Sequence, residues 1–292
     1  MVDICCIGHI TSDKVVTTSS IMHMAGGTAY YFSYPFCNLD VSYLLVTALA
    51  AKEMNFVTNL RSHGIEVLVQ QSKHTVNFEN IYSENQDHRT QNVLQQADSF
   101  TEEFLFPIQA QIFHLGPLLP DDIPVSLIKM LSAKARISLD VQGYLREVID
   151  KKVYPRDWPE KIEALQYIDI LKADEGELIA LTGCEDVRKA ARIVADWGVK
   201  EVVITNGSQG SFIFYGDVFY TIPAFPPKII VDATGCGDTY MAGYLYQRIK
   251  GAGVQQAGIF AADLASRKME FAGPFNGAII ADETGRLLPA VG

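Results

Sequence analysis

Positive charge is scarce in this chain: 24 Lys and Arg stand against 34 Asp and Glu, a net charge of −10 over 292 residues. That balance excludes general nucleic-acid binding, which needs a basic face. It leaves room for a phosphorylated ligand, which a local cluster of N–H donors can hold. Long apolar runs are missing too, none approaching the roughly 20 residues of a bilayer-spanning helix. Cysteine is sparse and unpatterned: positions 5, 6, 37, 184 and 236 form no Cys-x-x-Cys, and the count is odd. Reduced thiols in a cytoplasmic protein are expected, and Met1-Val2-Asp3-Ile4 has no signal-peptide pattern. Six His and two Trp show no metal-ligand spacing, and no Ser/His/Asp or Cys/His set has local support. No Gly-x-Gly-x-x-Gly follows the first strand, which argues against a dinucleotide-dependent dehydrogenase.

What is present is a strand–helix rhythm with ordinary globular composition, 48% hydrophobic and 20% charged. Val2–Ile7, Val41–Ala48, Glu66–Val69, Gln111–Leu115, Arg136–Asp140, Ile168–Lys172 and Glu201–Thr205 read as buried strands. Helices are expected over Lys52–His63, Ile123–Lys134, Glu175–Leu181, Asp186–Trp197, Cys236–Ile249 and Val254–Phe271, and a helix start within Ala29–Phe36. Gly210–Tyr215 and Val218–Ile222 read as a hairpin across Gly216-Asp217. Such alternation predicts a parallel sheet covered on both faces. The texture changes over 70–100, where Thr75–Tyr82 and Thr90–Leu94 alternate like exposed antiparallel strands joined by the polar run Ser83–Arg89. No repeat or linker divides the chain, so a single domain over 1–292 is expected.

The segment Asp232-Ala-Thr-Gly-Cys-Gly-Asp238 carries the most chemistry. Gly235 and Gly237 flank Cys236 and let successive N–H groups converge on one point. A helix opens there, and its free N–H groups and positive dipole end favour an anion such as a transferring phosphoryl group. Asp238 sits at the mouth of that site, where a carboxylate is suited to accept a proton from an attacking hydroxyl. A glycine-rich loop capped by Asp is the competing reading.

Asp-x-Thr-Gly-x-Gly-Asp before a helix rich in Ala and Gly resembles the second signature of the PfkB/ribokinase family of sugar and nucleoside kinases. The resemblance implies that Asp238 is the general base and that the backbone of Gly235, Cys236 and Gly237 forms the anion hole. Cys236 stands where the family usually has Ala. The implied fold is a ribokinase-like α/β three-layer sandwich with a mostly parallel central sheet. It carries a small β-sheet lid, built from about 14–24 and 70–95, that in many members packs against its counterpart in a homodimer.

Other residues gain roles by the same resemblance. Asp13 lies just past the first strand, where an Asp can accept hydrogen bonds from substrate hydroxyls or simply form a turn. In the family an Asp there contacts the sugar, near the first-signature glycines, here Gly26 and Gly27. Tyr31 replaces the family's Asn. In Asp140-Val-Gln142-Gly143-Tyr-Leu-Arg146, Gln142 and Arg146 are candidate substrate contacts, Arg146 through its planar donor fork or else a surface ion pair. This segment looks like inositol-kinase-type relatives. Asp174 and Glu177 fit a helix N-cap and its N3 partner. The resemblance makes Glu177 the residue that organises water around Mg²⁺ and places Asp174 where the family has Asn. Thr205, Gly207 and Gly210 look like the loop that meets ATP phosphates, and Asn276 lies in a segment like that near adenine.

The expected activity is ATP- and Mg²⁺-dependent phosphoryl transfer to a hydroxyl of a sugar or polyol, with K⁺ a further candidate cofactor. A nucleoside kinase of the same family, or a non-catalytic sugar- or nucleotide-binding relative, are the alternatives.

Overall fold

The computed structural model describes residues 1–17, 20–82 and 89–279. In chain order the strands and helices are β1 (Val2–Gly8), β2 (Thr11–Val16), β3 (Ile21–Gly26), α1 (Thr28–Ser33), β4 (Tyr43–Leu49), α2 (Met54–Ser62), β5 (Glu66–Gln71), β6 (Asn77–Tyr82), β7 (Arg89–Gln95), α3 (Glu102–Leu105), β8 (Ala110–Gly116), α4 (Val125–Ser132) and β9 (Arg136–Asp140). Then come β10 (Arg146–Ile149), β11 (Lys152–Pro155), α5 (Lys161–Leu165), β12 (Ile170–Asp174), α6 (Glu175–Thr182), α7 (Val187–Asp196), β13 (Glu201–Thr205), β14 (Ser211–Tyr215), β15 (Val218–Ile222), α8 (Cys236–Ile249) and α9 (Val254–Lys268).

Nine strands form the large sheet in the order β15-β14-β13-β12-β9-β8-β1-β4-β5, parallel except for the β13-β14-β15 edge. Alternation along its central strands divides the core into two layers. Cys5, Ile7 and Val46 point into one cluster with Ile128 of α4, Ala164 of α5, Leu178 of α6 and Val194 of α7. Ile4, Cys6 and Leu45 point the other way, onto Phe32 of α1, Leu60 of α2, Tyr244 of α8 and Leu264 of α9. Both faces are dry, which is why these strands read as continuous apolar runs.

A six-stranded sheet, β10-β11-β7-β6-β2-β3, stands apart and is antiparallel except where β2 meets β6. It differs from the lid expected over 14–24 and 70–95. Residues 70–71 belong to β5 in the large sheet, where Leu49 pairs with Gln71. Residues 146–155, to which the sequence reading assigned no strand, add the hairpin β10-β11. Residues 18–19 of the expected lid, and 83–88 of the polar run, lie outside the described residues.

No helix among the described residues is long and apolar enough to cross a membrane, and all five cysteines are free thiols. The strand order reverses between β1 and β8, and parallel strands β1, β8, β9, β12 and β13 end along one edge, with Gly8 opposite Gly116, Asp140 opposite Lys172 and Asp174 opposite Thr205. Open α/β sheets bind ligands at that kind of edge.

Candidate active site

The loop before α8 is built around Asp232. Its carboxylate accepts hydrogen bonds from Thr234 N at 2.8 Å and Gly273 N at 3.0 Å. The fully buried Lys268 donates to the Asp232 carbonyl at 2.8 Å and approaches its carboxylate at 3.2 Å. The chain then turns through Gly235 with φ +76°, a left-handed conformation that costs glycine little. A side chain on Gly235 would also run into the Tyr31 ring. That ring carries Lys268 Nζ over its face, 5.7 Å from the centroid, a cation–π contact. The Cys236 thiol points at the Ala265 carbonyl across 3.7 Å, and burial raises its pKa to about 11. A neutral thiol therefore sits where the family signature has Ala.

Asp238, at the first turn of α8, is half-buried. Burial, with the charges of Asp140 and Glu177, lifts its pKa from an ordinary 3.8 to about 7, against the pull of Lys172 and the Thr28 hydroxyl. The Gly26-Gly27 turn delivers Thr28 there. Gly27 has φ +90°, and a Cβ on it would meet the His9 carbonyl at 2.6 Å. Asp13 fills the space beside Gly26, its Oδ2 standing 2.7 Å from where a Cβ would be. Burial and the carboxylates of Asp232, Asp13 and Asp238 all raise the Tyr31 phenol, so Tyr31 stays neutral between them. Asp13, Tyr31, Gly235 and Asp238 thus form one constellation, drawn from the small sheet, α1 and α8.

Lys172 is the residue that sequence reasoning passed over. Buried at the end of β12, its ammonium lies 2.9 Å from Asp140 and 3.7 Å from Glu177. It also stands 3.5 Å from where a Gly237 Cβ would be. Burial disfavours its charge, but Asp140, Glu177 and Asp238 outweigh that and hold it firmly cationic. The signal available was a Lys inside the otherwise apolar run Ile170–Ala173, since lysine is almost never fully buried unless paired.

The remaining candidates sit along the same sheet edge. Asp174 caps α6 in a full capping box, accepting from Glu177 N at 2.7 Å while Glu177 accepts from Asp174 N at 2.7 Å. The capping reading of this pair therefore holds. Burial raises the Glu177 carboxyl, opposed by Lys172. Thr205 is adjacent by register; Gly207 (φ +47°) and Gly210 (φ +93°) make the following turn, and a side chain on Gly210 would strike the Ile222 carbonyl. Gln142 is half-buried, its N–H donating to Asp140 Oδ1 at 3.1 Å. Arg146 opens β10 and donates to the Leu118 carbonyl at 3.3 Å. Asn276 is exposed beside the buried Phe275, and no hydrogen bond among the described residues joins it to the group.

A model of the pfkB family of carbohydrate kinases matches residues 41–276. A cytidine kinase of Thermococcus kodakarensis is 37% identical over 147 residues, 49% of this chain and 49% of its own length. A ribokinase of Arabidopsis thaliana is 32% identical over 155 residues, 51% of this chain and 38% of its own. The matched region thus spans about half or less of these curated relatives. Among solved structures, a pyrophosphate-dependent kinase in the ribokinase family, complexed with a pyrophosphate analogue and myo-inositol, superposes with TM-score 0.83 at 31% identity, covering 93% of this chain and 96% of that one.

Proposed function

The chain belongs to the pfkB family of carbohydrate kinases, and from that premise we propose that it transfers the γ-phosphoryl group of ATP to a hydroxyl of a sugar or polyol in the cytoplasm. The observation that carries this reading is Asp238, half-buried at a helix N-terminus behind a left-handed glycine, with a pKa of about 7. Phosphoryl transfer is mostly positioning and charge stabilisation. Asp238 takes the acceptor's proton. The N–H groups from Gly235 to Gly237 and the α8 dipole receive the phosphoryl oxygens. Lys172 adds a fixed positive charge beside them, and Asp13 and Tyr31 line the acceptor side, with Gln142 and Arg146 further contacts.

Thr205, Gly207, Gly210 and Asp174 border the donor side, with Asn276 assigned to its outer rim. Among the described residues no three or more His, Cys, Asp or Glu gather as a metal cage. A single carboxylate such as Glu177 fits a Mg²⁺ carried chiefly by donor phosphates; there the ion would neutralise phosphate charge. Inorganic pyrophosphate is a second donor reading, favoured by the likeness to a pyrophosphate-dependent kinase over 93% of this chain.

For the acceptor, a small polyhydroxylated ring of inositol type is the leading assignment. The outward face of the small sheet supports pairing of two copies: Ile21, Ile81, Leu94, Ile149 and Tyr154 are exposed there, on the side opposite Asn80, Val93, Val148 and Val153.

The test crosses ATP and pyrophosphate with myo-inositol, ribose, fructose and cytidine, reading phosphorylated product directly. Turnover of a polyol or sugar is expected, lowered by about 10²–10⁴ in kcat for Asp238→Asn. Cytidine turned over as well as or better than any polyol or sugar would overturn the acceptor assignment, and no turnover with any pair would overturn the kinase reading.

A further inference from the structure

The link between β1 and β2 crosses from the large sheet to the small one, and His9 stands in it with its ring fully buried. Both ring nitrogens face acceptors. Nδ1 lies 3.1 Å from the Ala48 carbonyl in β4, and Nε2 lies 3.5 Å from Asp122 Oδ1. A neutral imidazole has one N–H and one lone pair, so either tautomer would turn a lone pair on one of these oxygens. Only the imidazolium serves both. Burial works against that charge, but Asp122, the Ala48 carbonyl and, further off, Asp98 outweigh it and raise the ring above an ordinary 6.5. Around the ring, Phe100 stacks on it with centroids 4.7 Å apart. Asp98 is held ionised by the Lys73 backbone N–H, with Lys73 and His74 beyond it, and burial and Asp122 keep the Tyr144 phenol neutral.

Asp122 in turn builds the seat of the small sheet. Its Oδ2 accepts from Leu118 N at 2.8 Å and from Leu119 N at 3.0 Å. Those two leucines pack with Val76, Phe78 and Val93 of the small-sheet segment. The Asp122 carbonyl accepts from Phe100 N at 3.0 Å, on the crossing that leads back from β7. On its other side the His9 carbonyl meets the Gly27 turn, and β2 runs on from His9 to Asp13, whose carboxylate abuts Gly26. One ion pair thus joins β4, the return crossing, the seat and the strand that carries Asp13.

We propose that His9 and Asp122 are positioning residues for the acceptor site: their ion pair sets the small sheet, with Asp13, against the body, so that acceptor binding is strongest while His9 carries its second proton. The inference rests on the kinase reading above and deepens it. Asp238 and His9 then titrate with opposite effects. Losing a proton makes Asp238 a base and raises kcat. Losing one makes His9 turn a lone pair on Asp122 and weakens the hold on the acceptor. The pair favours the fold in full below 6.5, and that contribution is lost as pH rises through the higher folded value.

The experiment uses the full chain and whichever of myo-inositol, ribose, fructose and cytidine it turns over fastest. kcat and the acceptor KM are measured separately across pH, and the His9 ring nitrogens are followed by NMR, assigned through their contact with Phe100. Both nitrogens should carry protons below pH 6.5. The acceptor KM should rise about fivefold or more as the ring loses one, a usual size for coupling between two sites. Coupling is reciprocal, so saturating acceptor should move the His9 titration to higher pH by the same factor. Asp122→Asn separates charge from packing. Its carboxamide oxygen can keep the Leu118 and Leu119 N–H groups while its NH₂ donates to Nε2 of a neutral His9. The acceptor KM of this variant should be level across the same range, while kcat keeps the Asp238 limb. A wild-type KM that is level in pH, an acceptor that leaves the His9 titration in place, or a folded Asp122→Asn with the wild-type KM profile overturns the proposal and leaves the kinase reading standing. Should Asp122→Asn not fold, the two wild-type measurements decide. No turnover of any acceptor overturns the kinase reading and this proposal with it.

Discussion

Asp238 holds its proton to a pH where an ordinary aspartate is fully ionised, because desolvation and two neighbouring carboxylates act together. A general base works only when ionised, so kcat/KM should rise with pH through about 7. Lys172 is the cation that limits this rise. Lys172→Met should therefore move the acidic limb to higher pH, by about one to three pH units, as read from kcat/KM profiles of the two proteins. An unmoved limb would show that Lys172 does not act on the base. The sign for stability follows from the same shift. A carboxyl whose pKa is raised by folding favours the fold while protonated, so its contribution is full below 3.8 and is lost as pH rises through about 7. The cost of an ionised Asp238 in the fold is thus set against its use as a base.

At the scale of elements, the site depends on how two helices begin. α8 starts from Gly235 in the left-handed region, pressed against Tyr31. Gly235→Ala adds both a φ penalty and a clash, of order 1–3 kcal/mol together for the strain, and should lower Tm and kcat. In a Tyr31→Ala background the clash is relieved and the φ penalty remains, so the second loss in Tm should be smaller than the first. Equal losses in the two backgrounds would show that the ring does not confine the turn. α6 starts from the Asp174–Glu177 capping box, where glutamine serves as well as glutamate at N3. Glu177→Gln should then leave Tm close to the wild-type value while raising the Mg²⁺ concentration for half-maximal rate. A fall in Tm with an unchanged Mg²⁺ titration would make Glu177 a cap and nothing more.

At the scale of the molecule, the two faces of the small sheet have different fates. One is buried on Leu118 and Leu119. The other leaves Ile21 63%, Ile149 49% and Tyr154 43% exposed towards the two edges of the sheet, on either side of the Lys14–Glu79–Asn92 hydrogen bonds, and apolar side chains exposed beside polar ones in this way fit an interaction surface. A second copy of the chain is the partner proposed for it. Sedimentation equilibrium should give twice the chain mass of 32.3 kDa, and Ile81→Lys with Ile149→Lys should return the monomer with its fold intact. A wild-type monomer at micromolar concentration would remove this reading.

The sequence by itself determined whatever depends on neighbours in the chain. The buried strands were visible as apolar runs because both faces of the large sheet are dry. The loop from Asp232 to Asp238 was visible because a left-handed turn into a helix needs glycine at a set position. The Asp174–Glu177 pair was legible as a capping box for the same local reason. Tertiary structure alone decided what depends on distant segments. β10 and β11 are short and half-exposed, so their alternation is faint until β7 supplies an edge to pair with. Lys172 gained its role only when β9, α6 and the loop before α8 brought Asp140, Glu177 and Gly237 around it. Lys268, 36 residues beyond the Asp232 it braces, carries no local sign of that contact. Thr28 and Tyr31 reach Asp238 through packing of α1 on α8. Local backbone preference is encoded residue by residue, whereas the field that sets the Asp238 pKa is a sum over charges that meet only in the folded chain.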